Sequence, residues 1–303
     1  MGNLQHNKMI IVDGPTVKRV VLGSTNFTWR GFFVQSNNAV IVYGADIVVQ
    51  QRQTFEDYWA SGGSAAKFGK SASADWQPLQ VDGLDGKVSM CPHAANHSTQ
   101  QAISEDIGQT QSTLFFSLAF LYQTPGNVTQ AVEAAINNPD LFVYGVSDKR
   151  TGILVHQLDG NPAPVYAAAL SKGLPEPFRS EASGGSGVKM HHKFVVIDFN
   201  KPTARVYTGS YNFSHAADVE NGENLVLIKD QRIATAYMVE ALRIVDAYQF
   251  RISSKTPPSG SAGSAGKTST KGLAVPPANT GQTPWWDKFW PVPIRRRDRE
   301  IFA

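Results

Sequence analysis

The sequence predicts an α/β protein of mixed β-sheets flanked by helices, built from two related halves of which the first is incomplete. Three observations carry this expectation: a long internal repeat, an alternation of short apolar runs with amphipathic stretches, and a polar pattern recurring at matched places in both copies. Residues 4–42 match residues 189–228, at an offset of 185 from His6 to His191 and, after one inserted residue, 186 from Gly23 to Gly209.

Each copy reads as strand, turn and strand. Met9 to Val12 and Phe194 to Ile197 are continuously apolar, as fully buried strands are, and Val20 to Leu22 and Val206 to Thr208 give second strands that run into Gly-Ser. Ahead of the second copy the pattern predicts a helix over Thr99–Gly108, a strand over Thr113–Tyr122, a helix over Val128–Asn137 and a strand over Leu141–Ser147. A helix over Gln231–Arg251 follows it. No comparable elements stand before His6.

The expected organisation is therefore residues 1–60 as the C-terminal part of a first domain, a Gly/Ser/Ala-rich linker at 61–85, and a whole second domain at 86–253. A flexible linker at 254–283 and a Trp/Arg-rich tail at 284–303 complete it. A half-built first sheet should show an open edge and bare apolar surface. The native N-terminus is expected to lie upstream of Met1, which leaves a cytoplasmic or a secreted location open.

Composition narrows the classes. Of 303 residues 42% are hydrophobic and 17% charged, enough for one large or two modest cores, and a net charge of +3 is too small for a non-specific polyanion binder. A single cysteine, Cys91, excludes an internal disulfide and a multi-cysteine metal site. The longest apolar run, Leu114 to Tyr122, contains Ser117 and falls far short of the roughly 18 residues of a membrane span.

The repeated polar pattern carries the chemistry. His6, Lys8 and Asp13 correspond to His191, Lys193 and Asp198, while Gly23, Ser24 and Asn26 correspond to Gly209, Ser210 and Asn212. Residues i and i+2 of a strand share a face, so His6 projects with Lys8 and His191 with Lys193. Two such pairs call for an anion. A phosphodiester meets that demand, since its displacement needs fixed cations, hydrogen-bond donors, a nucleophile and an acid for the leaving oxygen. The remaining histidines read as uninvolved: His192 alternates away, His215 follows the second turn, and His93, His97 and His156 stand alone. The i, i+4 spacing of His93 and His97 offers no further ligand, so a surface loop or helix start is expected there, with no metal and no cofactor.

Residues 6–13 with 23–26, and 191–198 with 209–212, resemble the two His-x-Lys-x4-Asp motifs of the phospholipase D superfamily, a likeness that extends over residues 1–253. The resemblance implies two similar α/β domains about a pseudo-twofold axis, both motifs around one phosphate, and catalysis through a phosphohistidine. It assigns His6, Lys8, His191, Lys193 and Glu223 to catalysis, and Ser24, Asn26, Ser210 and Asn212 to phosphate binding. Asp13 and Asp198, far along their strands from the histidines, are expected to be structural.

The copies differ at one informative place, where Glu223 stands opposite Asn37. In the family the acidic residue there orients the motif histidine, and a carboxylate beside imidazole favours its protonated form. Pairing within the copy makes His191 the acid and His6 the nucleophile.

The expected partner is a phospholipid at a membrane surface, favoured by Trp29, Phe32, Phe33 and the Trp-rich tail. Nucleic acid, acted on by a metal-independent endonuclease of the same superfamily, is the alternative, and an idle binding protein the third reading. Both motifs lie in one chain, so a dimer is not required.

Overall fold

The computed structural model describes residues 4–94, 99–121, 126–149, 152–156, 162–166, 190–253, 281, 283–284, 287 and 290–302. In the first repeat β1 (Met9–Asp13), β2 (Lys18–Gly23) and β3 (Ala39–Tyr43) form an antiparallel three-stranded sheet in that order. A short helix α1 (Trp29–Phe33) bridges β2 and β3, and α2 (Ala45–Ala60) follows.

The stretch expected to be a linker is structured. Its helix α3 (Ala65–Phe68), a single 3₁₀ turn at Ala72–Ala74 and β4 (Gln77–Pro78) lead into β5 (Asp85–Cys91). Phe68, Ala74 and Leu79 are buried with Leu22 and Val42 of the first repeat, Ile47 of α2, and Val226 and Ile228 of the second repeat. The small residues that made this segment look flexible allow it to pack closely, and the two repeats share one core through it.

Then come α4 (Thr99–Gly108), β6 (Thr113–Leu118), α5 (Asn127–Ile136), β7 (Phe142–Lys149), β8 (Gly152–His156) and β9 (Pro162–Tyr166). The second repeat supplies β10 (Lys193–Ile197), β11 (Arg205–Gly209), α6 (His215–Val219), β12 (Glu223–Lys229) and α7 (Gln231–Ser253). A last helix, α8, covers Pro293–Ile301. The nine-stranded sheet has the order β4-β5-β12-β11-β10-β6-β7-β8-β9, antiparallel except between β6 and β7.

Period-two alternation divides the core. Val195 and Ile197 of β10 face Ile103, Ile107, Val128 and Val132 of α4 and α5, whereas Phe194 and Val196 face Ala234, Met238 and Ala241 of α7. Ile301 packs against that second cluster, and Phe302 lies 5.6 Å, centroid to centroid, from Phe199. The end of the C-terminal tail thus docks on the sheet.

The first sheet is barer than the second at equivalent positions. Ile10 is 43% exposed and Val195 fully buried, Phe27 is 45% exposed and Phe213 3%, and Ile41 is 52% exposed and Leu227 8%. Among the described residues β1 and β3 pair only with β2. No helix among them is long and apolar enough to cross a membrane.

Candidate functional site

The repeats meet by exchanging short backbone contacts. Gln5 forms a parallel bridge with Gly222, and Ser36 forms the equivalent bridge with Met190. His6 N donates to Gly222 O at 2.9 Å, and His191 N donates to Ser36 O at 2.9 Å. Side chains repeat the exchange: Asn224 Nδ2 donates to Asn7 Oδ1 at 2.7 Å, and Asn38 Nδ2 meets His192 Nδ1 at 3.0 Å.

This crossing corrects the expected pairing of Glu223. The bridge to Gly222 places the first histidine beside the next residue of the second repeat, so Glu223 holds His6 and not His191. His6 Nδ1 lies 2.9 Å from Oε1 and 2.8 Å from Oε2 of the buried carboxylate. His191 is held the opposite way. Its Nδ1 donates to Asn37 Oδ1 at 2.8 Å and approaches Ser24 O at 3.1 Å. Asn37 Nδ2 donates to Gly31 O at 2.9 Å, which turns the amide oxygen toward the imidazole.

Because carboxylate and amide oxygens only accept here, both histidines carry the Nδ1 proton and direct their chemistry through Nε2. Nε2 of each has no protein partner among the described residues, and the ring centroids are 6.3 Å apart with planes at 69°.

Lys8 Nζ reaches back to the carbonyl of His6, and Lys193 Nζ donates to that of His191 at 2.8 Å. Both lysines are buried, as is Glu223. Burial lowers Lys8 to about 8, an effect that Glu223 partly opposes. His191 falls to about 2, through burial first and then the charges of Lys193, Lys8 and His6, with the hydrogen bond to Ser24 pulling the other way. Lys8, Lys193 and Glu223 are thus charged groups withdrawn from solvent, and burial of charge is costly unless it is paired.

The serines differ from expectation. Ser24 and Ser210 are fully buried, and their hydroxyls hold the histidines' partners. Ser210 Oγ donates to Glu223 Oε2 at 2.5 Å and accepts from Asn224 N at 2.9 Å; Ser24 Oγ lies 3.2 Å from Asn37 Oδ1 and accepts from Asn38 N at 3.1 Å. With donor and acceptor both used, neither is available to a phosphate. The preceding Gly209 has φ +139, and a Cβ there would fall 2.2 Å from Asn224 O, so only glycine permits the approach. Asn26 Nδ2 is 3.4 Å from Gln35 Oε1, and the buried Asn212 Oδ1 has no partner.

Asp13 pairs with Lys18 and with Arg52 at 2.8 Å, closing the first hairpin against α2. Asp198 accepts from the backbone of Gln111, Ser112 and Thr113 at 3.1, 2.8 and 3.2 Å, and so anchors the start of β6.

His93 is buried, not on the surface loop or helix start expected there, and His97 lies outside the described residues. Cys91, His93 and Asp218 bring three metal-ligand atoms within 4.8 Å of one another. The arrangement does not fit an ion. His93 Nδ1 is taken by Asp218 Oδ1 at 2.7 Å and Nε2 by Ser89 Oγ at 2.7 Å. Cys91 Sγ is nearly equidistant from both ring nitrogens, at 3.8 and 3.9 Å, and lies along neither lone pair.

Sequence reasoning missed that Asn37 is the partner of His191 and that Asn38 and Asn7 help weld the repeats. The one-to-one offset identifies the equivalent positions, but which copy contacts which depends on the backbone crossing.

Several known proteins resemble the chain. A phospholipase D of Rickettsia prowazekii (strain Madrid E) is 44% identical over 123 residues, covering 37% of this chain and 57% of the relative. A phospholipase D of Rickettsia typhi (strain ATCC VR-144 / Wilmington) is 48% identical over 48 residues, 16% of this chain and 22% of the relative. The chain thus spans less than two thirds of either relative's length. The crystal structure of phosphatidylserine synthase from Haemophilus influenzae Rd KW20 matches with a TM-score of 0.52 at 14% identity, over 80% of this chain and 62% of that one, which establishes likeness of fold. The family model described as cardiolipin synthase, PLD-like domain, matches residues 1–59 and 103–245, the stretches that hold both His-x-Lys motifs, and the chain belongs to that family.

Proposed function

We propose that this protein cleaves a phospholipid phosphodiester, with His6 as nucleophile and His191 as general acid. The observation that carries the proposal is the crossed pair of histidines, 6.3 Å apart, each fixed through Nδ1 with Nε2 open beside buried Lys8 and Lys193. That spacing leaves room for one phosphorus between the two nitrogens.

His6 Nε2 attacks phosphorus while the phosphorus–oxygen bond to the leaving alcohol breaks, and His191 Nε2–H gives its proton to that oxygen. Such a proton transfer contributes roughly 10²–10⁴ in rate. The phosphorylated His6 is cationic, and Glu223 stabilises it across the Nδ1–H bond. His191, now neutral, takes a proton from water, whose oxygen attacks phosphorus and releases His6; another alcohol in place of water gives transfer. Lys8, Lys193 and the amides of Asn26 and Asn212 hold the non-bridging oxygens.

The roles match those expected from the sequence, but on different grounds. Glu223 supports the nucleophile, and His191 takes up its acidic proton from solvent as the substrate binds: the bound anion offsets Lys193 and Lys8, two of the charges that depress it. The exposed Trp29, Phe32 and Phe33 lie a few residues after Asn26 and offer apolar contact for acyl chains. The relatives named phospholipase D favour the same substrate class.

Phosphatidylcholine vesicles and supercoiled plasmid, each offered to the wild type and to a His6→Ala His191→Ala double variant, test the reading. Choline release by the wild type alone is expected. Nicking without choline release makes the protein a nuclease, and neither makes it a binding protein.

A further inference from the structure

Asp218 and Tyr211 of the second repeat form a buried network with Ser89 and His93 that has no counterpart around the first repeat among the described residues. Asp218 Oδ1 accepts from His93 Nδ1 at 2.7 Å and from Tyr211 OH at 3.0 Å, while Asp218 O accepts from His93 N at 2.7 Å. His93 Nε2 meets Ser89 Oγ, which also reaches Ala74 O at 2.8 Å. Tyr211 itself lies between Ser210, the donor to Glu223, and Asn212, so whatever fixes its ring fixes the turn that holds the partner of His6.

The equivalent first-repeat residues cannot do this. Thr25 stands for Tyr211 and donates to Asn38 O at 3.1 Å; Phe32 stands for Asp218 and is exposed. Among the described residues the Asn37–His191 arm therefore has no such brace.

Two other uses of the cluster fail. Ser89, His93 and Asp218 are spaced as in a serine hydrolase, but Ser89 is buried and its hydroxyl lies against a carbonyl. A metal does not fit, for the geometric reason given above.

We propose that Asp218 is a positioning residue for His6: with His93 it locks Tyr211, thereby fixes Ser210 and Glu223, and holds only this one of the two histidines in register. The catalytic part of this inference rests on the proposed phosphodiester cleavage, while the geometric part does not. Partners beyond the first contact commonly set the orientation of a functional group in this way.

The test uses the full chain and its Asp218→Asn variant, an isosteric change that removes the carboxylate. Tyr211→Phe, which removes one hydroxyl, serves if the first variant does not fold. Nitrogen-15 and proton NMR report the Nδ1–H of His6 and of His191 separately. The expected result is a shifted or broadened His6 Nδ1–H with that of His191 unchanged, and kcat lowered about tenfold with KM retained. Unmoved His6 signals in a folded variant overturn the proposal, as do equal changes at both histidines, which indicate general loosening. A wild type inactive on every phosphodiester refutes the proposed function, whereas the NMR comparison still decides the positioning role.

Discussion

Glu223 of the second repeat grips His6 of the first through both carboxylate oxygens, at 2.9 and 2.8 Å, while the matching Asn37 grips His191 through a single amide oxygen at 2.8 Å. The contacts are reciprocal in position and unequal in charge. An anion behind one imidazole and a neutral amide behind the other give two chemically different histidines from one repeated motif.

Glu223→Gln keeps the size of this partner and removes its charge. The turnover rate should fall on the order of 10² or more, because the cationic phosphohistidine loses its counter-charge. Asn37→Ala should act instead on leaving-group protonation. Substrates with activated, low-pKa leaving groups should rescue Asn37→Ala and not Glu223→Gln, as steady-state kinetics on an aryl phosphodiester will show.

The depression of His191 from 6.5 to about 2 has a stability consequence. Between those values the unfolded chain binds a proton that the folded one refuses, so stability is highest above the unfolded value and declines as pH falls below it. The slope approaches about 1.4 kcal/mol per pH unit from this group. Urea unfolding at pH 7, 6 and 5 should show the decline, and His191→Gln should flatten it.

Anion binding should relieve the part of that depression that comes from Lys193 and Lys8, leaving the larger part due to burial. Inorganic phosphate neutralises Lys8 and Lys193, so its binding near pH 6 should be accompanied by proton uptake. Calorimetry in buffers of different ionisation enthalpy measures the uptake directly. Asn37→Asp, which supplies His191 with an anion in advance, should reduce it.

Lys8, lowered to about 8 by burial, loses its charge as pH rises through that value. The alkaline limb of phosphate affinity should therefore lie near pH 8. Glu223→Gln, which removes the charge opposing the depression, should move it lower.

The two sheets offer a matched comparison. Ile10→Thr, on the bare first sheet, should change stability by no more than about 0.5 kcal/mol, whereas Val195→Thr at the equivalent buried position should cost about 1–3 kcal/mol. Chemical denaturation of both variants makes the check.

Much of this architecture is legible in the sequence. The apolar runs of β10 and β11 and the helical periods of α4, α5 and α7 fall within a few residues of their observed bounds, because each buries a face whose period the sequence displays. The motif residues themselves stood out through repetition. Three features did not. The crossing of Glu223 to His6 depends on the parallel bridge between Gln5 and Gly222, and a backbone pairing leaves no side-chain signature. Ser24 and Ser210 looked like phosphate donors because a hydroxyl in a glycine turn suits either task, and only burial shows which neighbour it serves. Residues 61–85 looked like a linker because small residues serve both loose loops and tight packing.

The central claim is that His6, braced by Glu223, forms the covalent bond to phosphorus. The direct measurement is mass spectrometry of the protein mixed with a phosphodiester substrate and quenched in alkaline denaturant, which preserves the phosphorus–nitrogen bond. The account predicts the adduct on His6, and its accumulation when His191 is replaced by alanine and an activated leaving group is used. An adduct on His191, or continued turnover by His6→Ala, contradicts it.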